Sequence, residues 1–312
     1  MIYEYYYEMM EDIERNIYRS MYQGFINHQV IIEIPDYDED RIYDIFEFIT
    51  YDHPEIYYIK TIEFIISLNG YWIEPIYRFS EKRINIINDA IEREVSKILA
   101  KCYRHTAIAK EQIIHDYLVN KVTYKDLDAP YSHEMAGVFL FGIGVCEGIS
   151  KAFKYLCDRL NIKSGFVIGR LDNKPDEYHA WNVIYIESVW YNIDVTFDLN
   201  LSIHDYRYDY FNLCDIELND RKSLFNVHKC NKCFDYYKRI NRYAGNSREL
   251  VNIIKNNNDQ IITIQLPIIK EDREKIIEYL MKIVFKNSKK DRKIDVRINP
   301  NFDRGVYTIV ID

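Results

Sequence analysis

Between residues 164 and 197 the chain carries three runs rich in β-branched and aromatic residues, Ser164–Leu171, Tyr178–Ile186 and Val189–Phe197. The last two are separated by Glu187-Ser188 alone. A two-residue link can only join antiparallel neighbours, because a parallel pair needs a crossover of a dozen or more residues. This part of the chain is therefore expected to form a hairpin. An apolar stretch with helical spacing, Ile149 to Leu160, comes just before it. A helix followed by an antiparallel sheet places the middle of the chain in the α+β class.

The rest of the chain divides around this middle. Tyr6, Met9, Met10, Ile13, Ile17 and Met21 fall near helical spacing over residues 3–21, and Phe25 to Ile34 alternates as a strand would. A helix over Asp38–Tyr51 and two β-rich runs around Asn69-Gly70, a hairpin signal, complete a small α/β unit over residues 1–80. Long helical patterns follow at Ile84 to Tyr103, with Ser80 as N-cap, and at Ile108 to Val122. Residues 199–243 are rich in Tyr and Asp with weak periodicity. Gly245-Asn246-Ser247 marks the late boundary, and a helix–strand–helix–strand–strand pattern fills residues 244–312. The expected units are thus 1–80, 81–243 and 244–312.

Twenty-nine Tyr and 15 Phe supply too much buriable surface for a disordered chain. Forty-one basic against 49 acidic residues, a net charge of −8, argues against a nucleic-acid partner, which needs a basic field. The longest apolar run, Gly137 to Val145, is about half of what spans a bilayer, so no membrane partner is expected. The N-terminus places acids where a signal peptide would carry basic residues, so a cytoplasmic location is expected. Six Cys over this length imply reduced thiols, not a disulfide scaffold.

Chemistry concentrates at two places. Cys146 lies between Gly144 and Gly148 at the start of a helical pattern. The N-terminal end of a helix presents free N–H groups and a partial positive charge, which favour a thiolate, the nucleophilic form of cysteine. Cys157, among Leu156 and Leu160, reads as core. The second place is the hairpin. If Glu187-Ser188 is its loop, Ile186 faces Val189, Trp181 faces Asp194 and His179 faces Thr196. Side chains alternate along a strand, so His179, Trp181, Asp194 and Thr196 share one face, with His179 and Asp194 diagonal neighbours within reach of one another. A loop longer by one residue would put them on opposite faces. Cys, His and Asp in this arrangement follow the nucleophile–base–orienter logic of acyl transfer. An Asp that only orients a His would be removable at little cost to folding. Trp181, on the same face, is the side chain expected to shield the pair.

The segments GVCEGISKAFKYLCDRLNI and HAWNVIYIESVWYNIDVTFD, with IIHDYLVNKVTY upstream and YDYFNL downstream, resemble the bacterial transglutaminase-like superfamily of papain-like cysteine enzymes. The resemblance covers about residues 107–243. It implies a papain-like α+β core with Cys146 as nucleophile, His179 as base and Asp194 as orienter. Tyr124 is the side-chain oxyanion donor that it implies. Glu147, and Ile149-Ser150, depart from the residues common in the family. The implied activity is that of a cysteine protease, deamidase or transglutaminase-like acyl transferase on a protein or peptide substrate, with no cofactor and with hydrolysis as the default. Two alternatives are a catalytically idle peptide-binding or assembly module and an acyl transferase resembling the arylamine N-acetyltransferases. His228-Lys229-Cys230-Asn231-Lys232-Cys233 contains a CxxC pair. A zinc site needs four ligands and no second pair exists, so a non-metal reading is favoured and no metal is expected.

Overall fold

The computed structural model describes residues 2–67, 70–127, 131–268, 273–287 and 295–311. Helix α1 (Asp12–Ile26) starts at a capping box in which the side chains of Glu11 and Glu14 satisfy each other's backbone N–H groups. The expected helix over residues 3–21 therefore begins late. Residues upstream form only a short 3-10 helix, Tyr7–Met9, and dock, because the buried Asp52 carboxylate accepts the N–H groups of Tyr6 and Tyr7. Tyr6 then stacks on Phe48 at 4.4 Å and its hydroxyl donates to the carbonyl of Phe166 at 2.9 Å. The expected strand over Phe25–Ile34 is also shortened. Phe25 belongs to the buried face of α1 with Ile17, Tyr18 and Met21, which leaves β1 as Ile32–Ile34. Helix α2 (Glu39–Asp52) and strands β2 (Ile59–Ser67) and β3 (Gly70–Tyr77) follow, in a sheet of order β1-β3-β2. Gly70 opens β3 opposite Ser67; Asn69 lies outside the described residues.

The middle of the chain opens with α3 (Glu81–Cys102) and α4 (Ala107–Lys121), close to the expected helices. The short strand β4 (Thr123–Tyr124) pairs in parallel with β5 (Ile143–Gly144), and α5 (Met135–Phe141) lies between them in sequence. Helix α6 (Cys146–Arg159) packs against a four-stranded antiparallel sheet of order β8-β7-β6-β9. Its strands are β6 (Ser164–Leu171), β7 (Lys174–Ile186), β8 (Val189–Ile193) and β9 (Arg221–Ser223). Helix α7 (Val195–Leu201) follows β8, and α8 (Tyr236–Arg239) closes this part. The result is an α+β fold.

One hydrophobic core runs without a break from Tyr3 through α6 and the four-stranded sheet to Tyr237. A second, smaller core lies in residues 244–311, where α9 (Ser247–Asn256) and α10 (Arg273–Asn287) cover a sheet of order β10-β12-β11. Its strands are β10 (Ile261–Gln265), β11 (Val296–Asn301) and β12 (Val306–Ile311). The buried Arg207 links the two parts, clamping Asp209 at 2.6 and 3.0 Å while donating to the carbonyl of Asn299 and the hydroxyl of Thr308. Among the described residues no helix is long and apolar enough to cross a membrane.

Candidate active site

Cys146 is the first residue of α6, after Val145 as N-cap, and is partly exposed. The local sequence makes this possible. A Cβ on Gly148 would come within 2.6 Å of the Ser132 carbonyl, so only glycine lets the 132–134 segment approach the start of the helix. That segment is fastened there by the Val145 N–H donating to the Ser132 carbonyl at 2.9 Å. The pairing of Tyr124 with Gly144 across β4 and β5 brings the Tyr124 ring beside the cysteine. It lies close enough to Cys146 to feel the charge of its sulfur. Burial, and after it the neighbouring sulfur, push the Tyr124 phenol up to about 12, so the hydroxyl keeps its proton.

Glu147 pairs with two cations. Its carboxylate meets Lys151 at 2.8 Å and His133 at 2.9 Å. Although burial opposes ionisation, these two cations hold it down to about 2.

The hairpin has the expected register along the paired stretch. Ile186 faces Val189 and the ladder continues to Asn182 opposite Ile193. Glu187 and Ser188 both have positive φ, 49° and 67°, as a two-residue hairpin turn demands. The ladder then stops. The expected strand to Phe197 ends at Ile193, and Thr196 lies in α7, not opposite His179. The reason is the Asp194 side chain, which accepts the Phe197 N–H at 3.1 Å and caps the new helix. Leaving the strand does not separate the pair, since His179 Nε2 lies 2.6 Å from Asp194 Oδ2. With Nε2 engaged, Nδ1 is the ring nitrogen left for Cys146, whose sulfur acts on the imidazole. Burial would lower the pKa of the imidazole, but Asp194 first and Cys146 next outweigh it and raise it to about 9. Burial likewise disfavours ionised Asp194, yet His179 and Arg221 bring it down to about 2.

Arg221, on the edge strand β9, is the member that sequence reasoning missed. Its guanidinium Nη1 donates to the same Asp194 Oδ2 that His179 engages. It lies in the Tyr- and Asp-rich stretch whose periodicity is weak, so neither pattern nor spacing marks it. Trp181 is buried beside the group, its ring nearly parallel to the His179 ring with centroids 6.2 Å apart, and its indole N–H donates to Asn192. Phe197 lies 4.7 Å from the imidazole on another side.

Two cysteine expectations need separate treatment. Cys157 is buried in the core, as is Cys230. Cys214 and Cys233, however, are joined by a disulfide, which corrects the expectation of six reduced thiols. Asp215 N–H donates to the Cys230 carbonyl and Phe234 N–H to the Asn212 carbonyl, which lays the two segments side by side and brings the sulfurs together. The CxxC pair is thereby split. Cys214, Glu217 and Cys233 have potential ligand atoms within 4.8 Å of one another, but the disulfide uses both sulfurs.

The transglutaminase-like superfamily matches residues 96–195, a span that includes Cys146, His179 and Asp194 and stops before Arg221. Among solved structures, one named as a TGase is 14% identical, covering 44% of this chain and 44% of that chain with a TM-score of 0.32. A candidate cysteine protease from Cytophaga hutchinsonii is 15% identical over 53% of this chain and 65% of that chain, with a TM-score of 0.32. A candidate protease from Parabacteroides distasonis is 9% identical over 43% of this chain and 35% of that chain, with a TM-score of 0.27. The chain thus spans less than half the length of the first of these. No curated protein matches the chain. The helix bearing Cys146 and the hairpin bearing His179 and Asp194 lie within the segment, residues 96–195, that is similar to the transglutaminase-like superfamily.

Proposed function

We propose that the chain is a thiol acyl-transfer enzyme that acts on protein or peptide amides through Cys146, His179 and Asp194, with hydrolysis as its main outcome. The observation that carries this reading is the buried imidazole of His179, which feels the sulfur of Cys146 and lies 2.6 Å from a carboxylate that is fully buried and held ionised. An imidazole held protonated beside the nucleophile is placed to give its proton to the leaving group.

The Cys146 sulfur attacks the amide carbonyl carbon, and the carbonyl electron pair moves to oxygen. The Cys146 N–H at the free end of α6 and the Tyr124 hydroxyl lie beside the sulfur and are the donors for that oxyanion. When the tetrahedral intermediate collapses, the C–N bond breaks and imidazolium His179 gives its proton to the departing amine or ammonia. A thioester on Cys146 remains. Neutral His179 then takes a proton from water as the oxygen attacks the thioester, and the acid and free thiol are released. Asp194 keeps the imidazole oriented throughout and does not take the proton.

The test is intact-mass spectrometry of the protein during incubation with Gln-containing peptides, with and without a labelled primary amine. A transient acyl adduct on Cys146 and acid product are expected. Amine incorporation faster than hydrolysis would overturn the preference for water. No adduct and no turnover with any peptide would leave a binding or assembly module as the better reading.

A further inference from the structure

We propose that Arg221 is a positioning residue of this site, holding Asp194 against His179 while sharing its charge, and so setting the pH range in which His179 keeps its proton. This rests on the thiol–imidazole reading given above.

The side chain of Arg221 is 1% exposed. An arginine is so deeply buried only when its charge is matched, because desolvation of the unpaired ion is prohibitive. Its partner is the carboxylate that serves His179. Both cations share Oδ2, while Oδ1 accepts the Phe197 N–H, so neither oxygen is free and the carboxylate cannot turn. The guanidinium and the imidazole also share walls. Arg221 lies 4.6 Å from the Phe197 ring and 5.4 Å from that of Trp181, the two rings that flank His179. The fold makes room for this arrangement at one glycine. A Cβ on Gly169 would lie 2.2 Å from the Lys222 carbonyl and 2.7 Å from the Trp181 ring, so β9 could not approach β6 there with any other residue.

Titratable groups reach this cluster from each neighbouring element. Cys146 comes from α6 and Tyr124 from β4. Tyr210 lies 5.6 Å from the guanidinium, and Asp220 binds its Nε at 2.8 Å from the solvent side. Asp198, one turn beyond Asp194 in α7, is directed to His115. Arg221 therefore stands between two carboxylates, Asp194 inside and the 45% exposed Asp220 outside. The signs follow from Coulomb's law. Removing the Arg221 charge leaves all of Asp194's charge to the imidazolium, which then loses its proton at higher pH. Removing the Asp220 charge has the opposite effect, because the guanidinium acts on Asp194 with less of its charge compensated outside.

The experiment measures the rate of Cys146 alkylation by iodoacetamide against pH, read by peptide mass, in the wild type and in His179→Ala, Arg221→Met, Arg221→Lys and Asp220→Asn. The wild-type profile should show alkylation already near pH 6 and an alkaline inflection where the imidazolium loses its proton, whereas His179→Ala should lose the low-pH reactivity and rise only where an unassisted thiol ionises, at about 8.5. Arg221→Met should move the inflection up by about one pH unit, the scale on which a charge at contact distance acts. Arg221→Lys should return it towards the wild-type position. Asp220→Asn, at a partly exposed site, should move it down by less. If His179→Ala keeps the wild-type reactivity near pH 6, the thiol–imidazole reading itself fails. If His179→Ala loses it but a folded Arg221→Met keeps the wild-type inflection, Arg221 is structural filler and the proposal is overturned. Should Arg221→Met not fold, Asp220→Asn decides: an unmoved or upward inflection overturns the proposal.

Discussion

Asp194 receives His179 and Arg221 on one oxygen and the Phe197 N–H on the other. A residue tied to three elements cannot be removed at the small cost expected of a simple orienter. Asp194→Ala leaves Arg221 buried without its inner partner, and breaking a buried pair in this way costs about 3–5 kcal/mol. The expected outcome is a large drop in the urea midpoint at every pH together with lost activity, whereas His179→Ala should lower activity by about 10²–10⁴-fold with a smaller drop in midpoint that vanishes above about pH 9. Equal stability losses in the two variants would refute this division of roles. The same residues predict a pH dependence. His179 is raised from 6.5 to about 9, so its ion pair stabilises the fold fully below about 6.5 and that contribution is lost as pH rises through about 9. Asp194 is lowered from 3.8 to about 2, so its contribution is present above 3.8 and lost as pH falls through about 2. Denaturant melts of wild type and His179→Gln across the alkaline range should converge as pH approaches and passes about 9.

Within the β7–β8 hairpin, two residues decide whether the site exists. Glu187 and Ser188 occupy left-handed backbone positions that Asn and Gly fill with less strain. The double substitution Glu187→Asn/Ser188→Gly should raise stability by about 1 kcal/mol, read as an increased Tm with activity retained. Inserting one glycine between Glu187 and Ser188 should do the reverse. Side chains on a strand alternate, so a one-residue slip of β8 against β7 turns the end of the strand that delivers Asp194 to the other face. A protein with the insertion that folds and still turns over substrate would show that α7, by its cap, and not the hairpin register, places Asp194.

At the scale of the whole molecule, the chain segment that supplies Arg221 is a loop closed at both ends. The Cys214–Cys233 disulfide spans 19 residues, and β9 lies inside that span. Closing a loop of this length restricts the unfolded chain by about 3 kcal/mol. Cys214→Ser/Cys233→Ser, or reduction of the wild type, should therefore lower the Tm. The double variant should also become insensitive to reductant, which distinguishes loss of the crosslink from other effects of the reagent. An unchanged Tm on complete reduction would mean that the hydrogen bonds of Asp215 and Phe234 hold the segment without it.

Local pattern determined a good deal of this protein. The helices α3, α4 and α6, the strand β6 and the two-residue hairpin turn are written in periodicities of 3.6 and 2 and in the residues that start and stop them. Cys146 at a helix start and His179 on a strand could be placed for the same reason: each position depends on neighbours within a few residues. Tertiary structure decided the rest. Asp194 leaves its strand because its side chain caps α7, and strand and cap are both locally acceptable until the chain packs. Residues 2–10 form no more than a short 3-10 helix because Asp52, more than forty positions away, takes the N–H groups of Tyr6 and Tyr7. Arg221 and the disulfide depend on contacts across 27 and 19 positions in a segment without periodicity. Such pairings are selected by burial of charge and by loop closure in the folded chain, and these are free energies that no stretch of sequence possesses by itself.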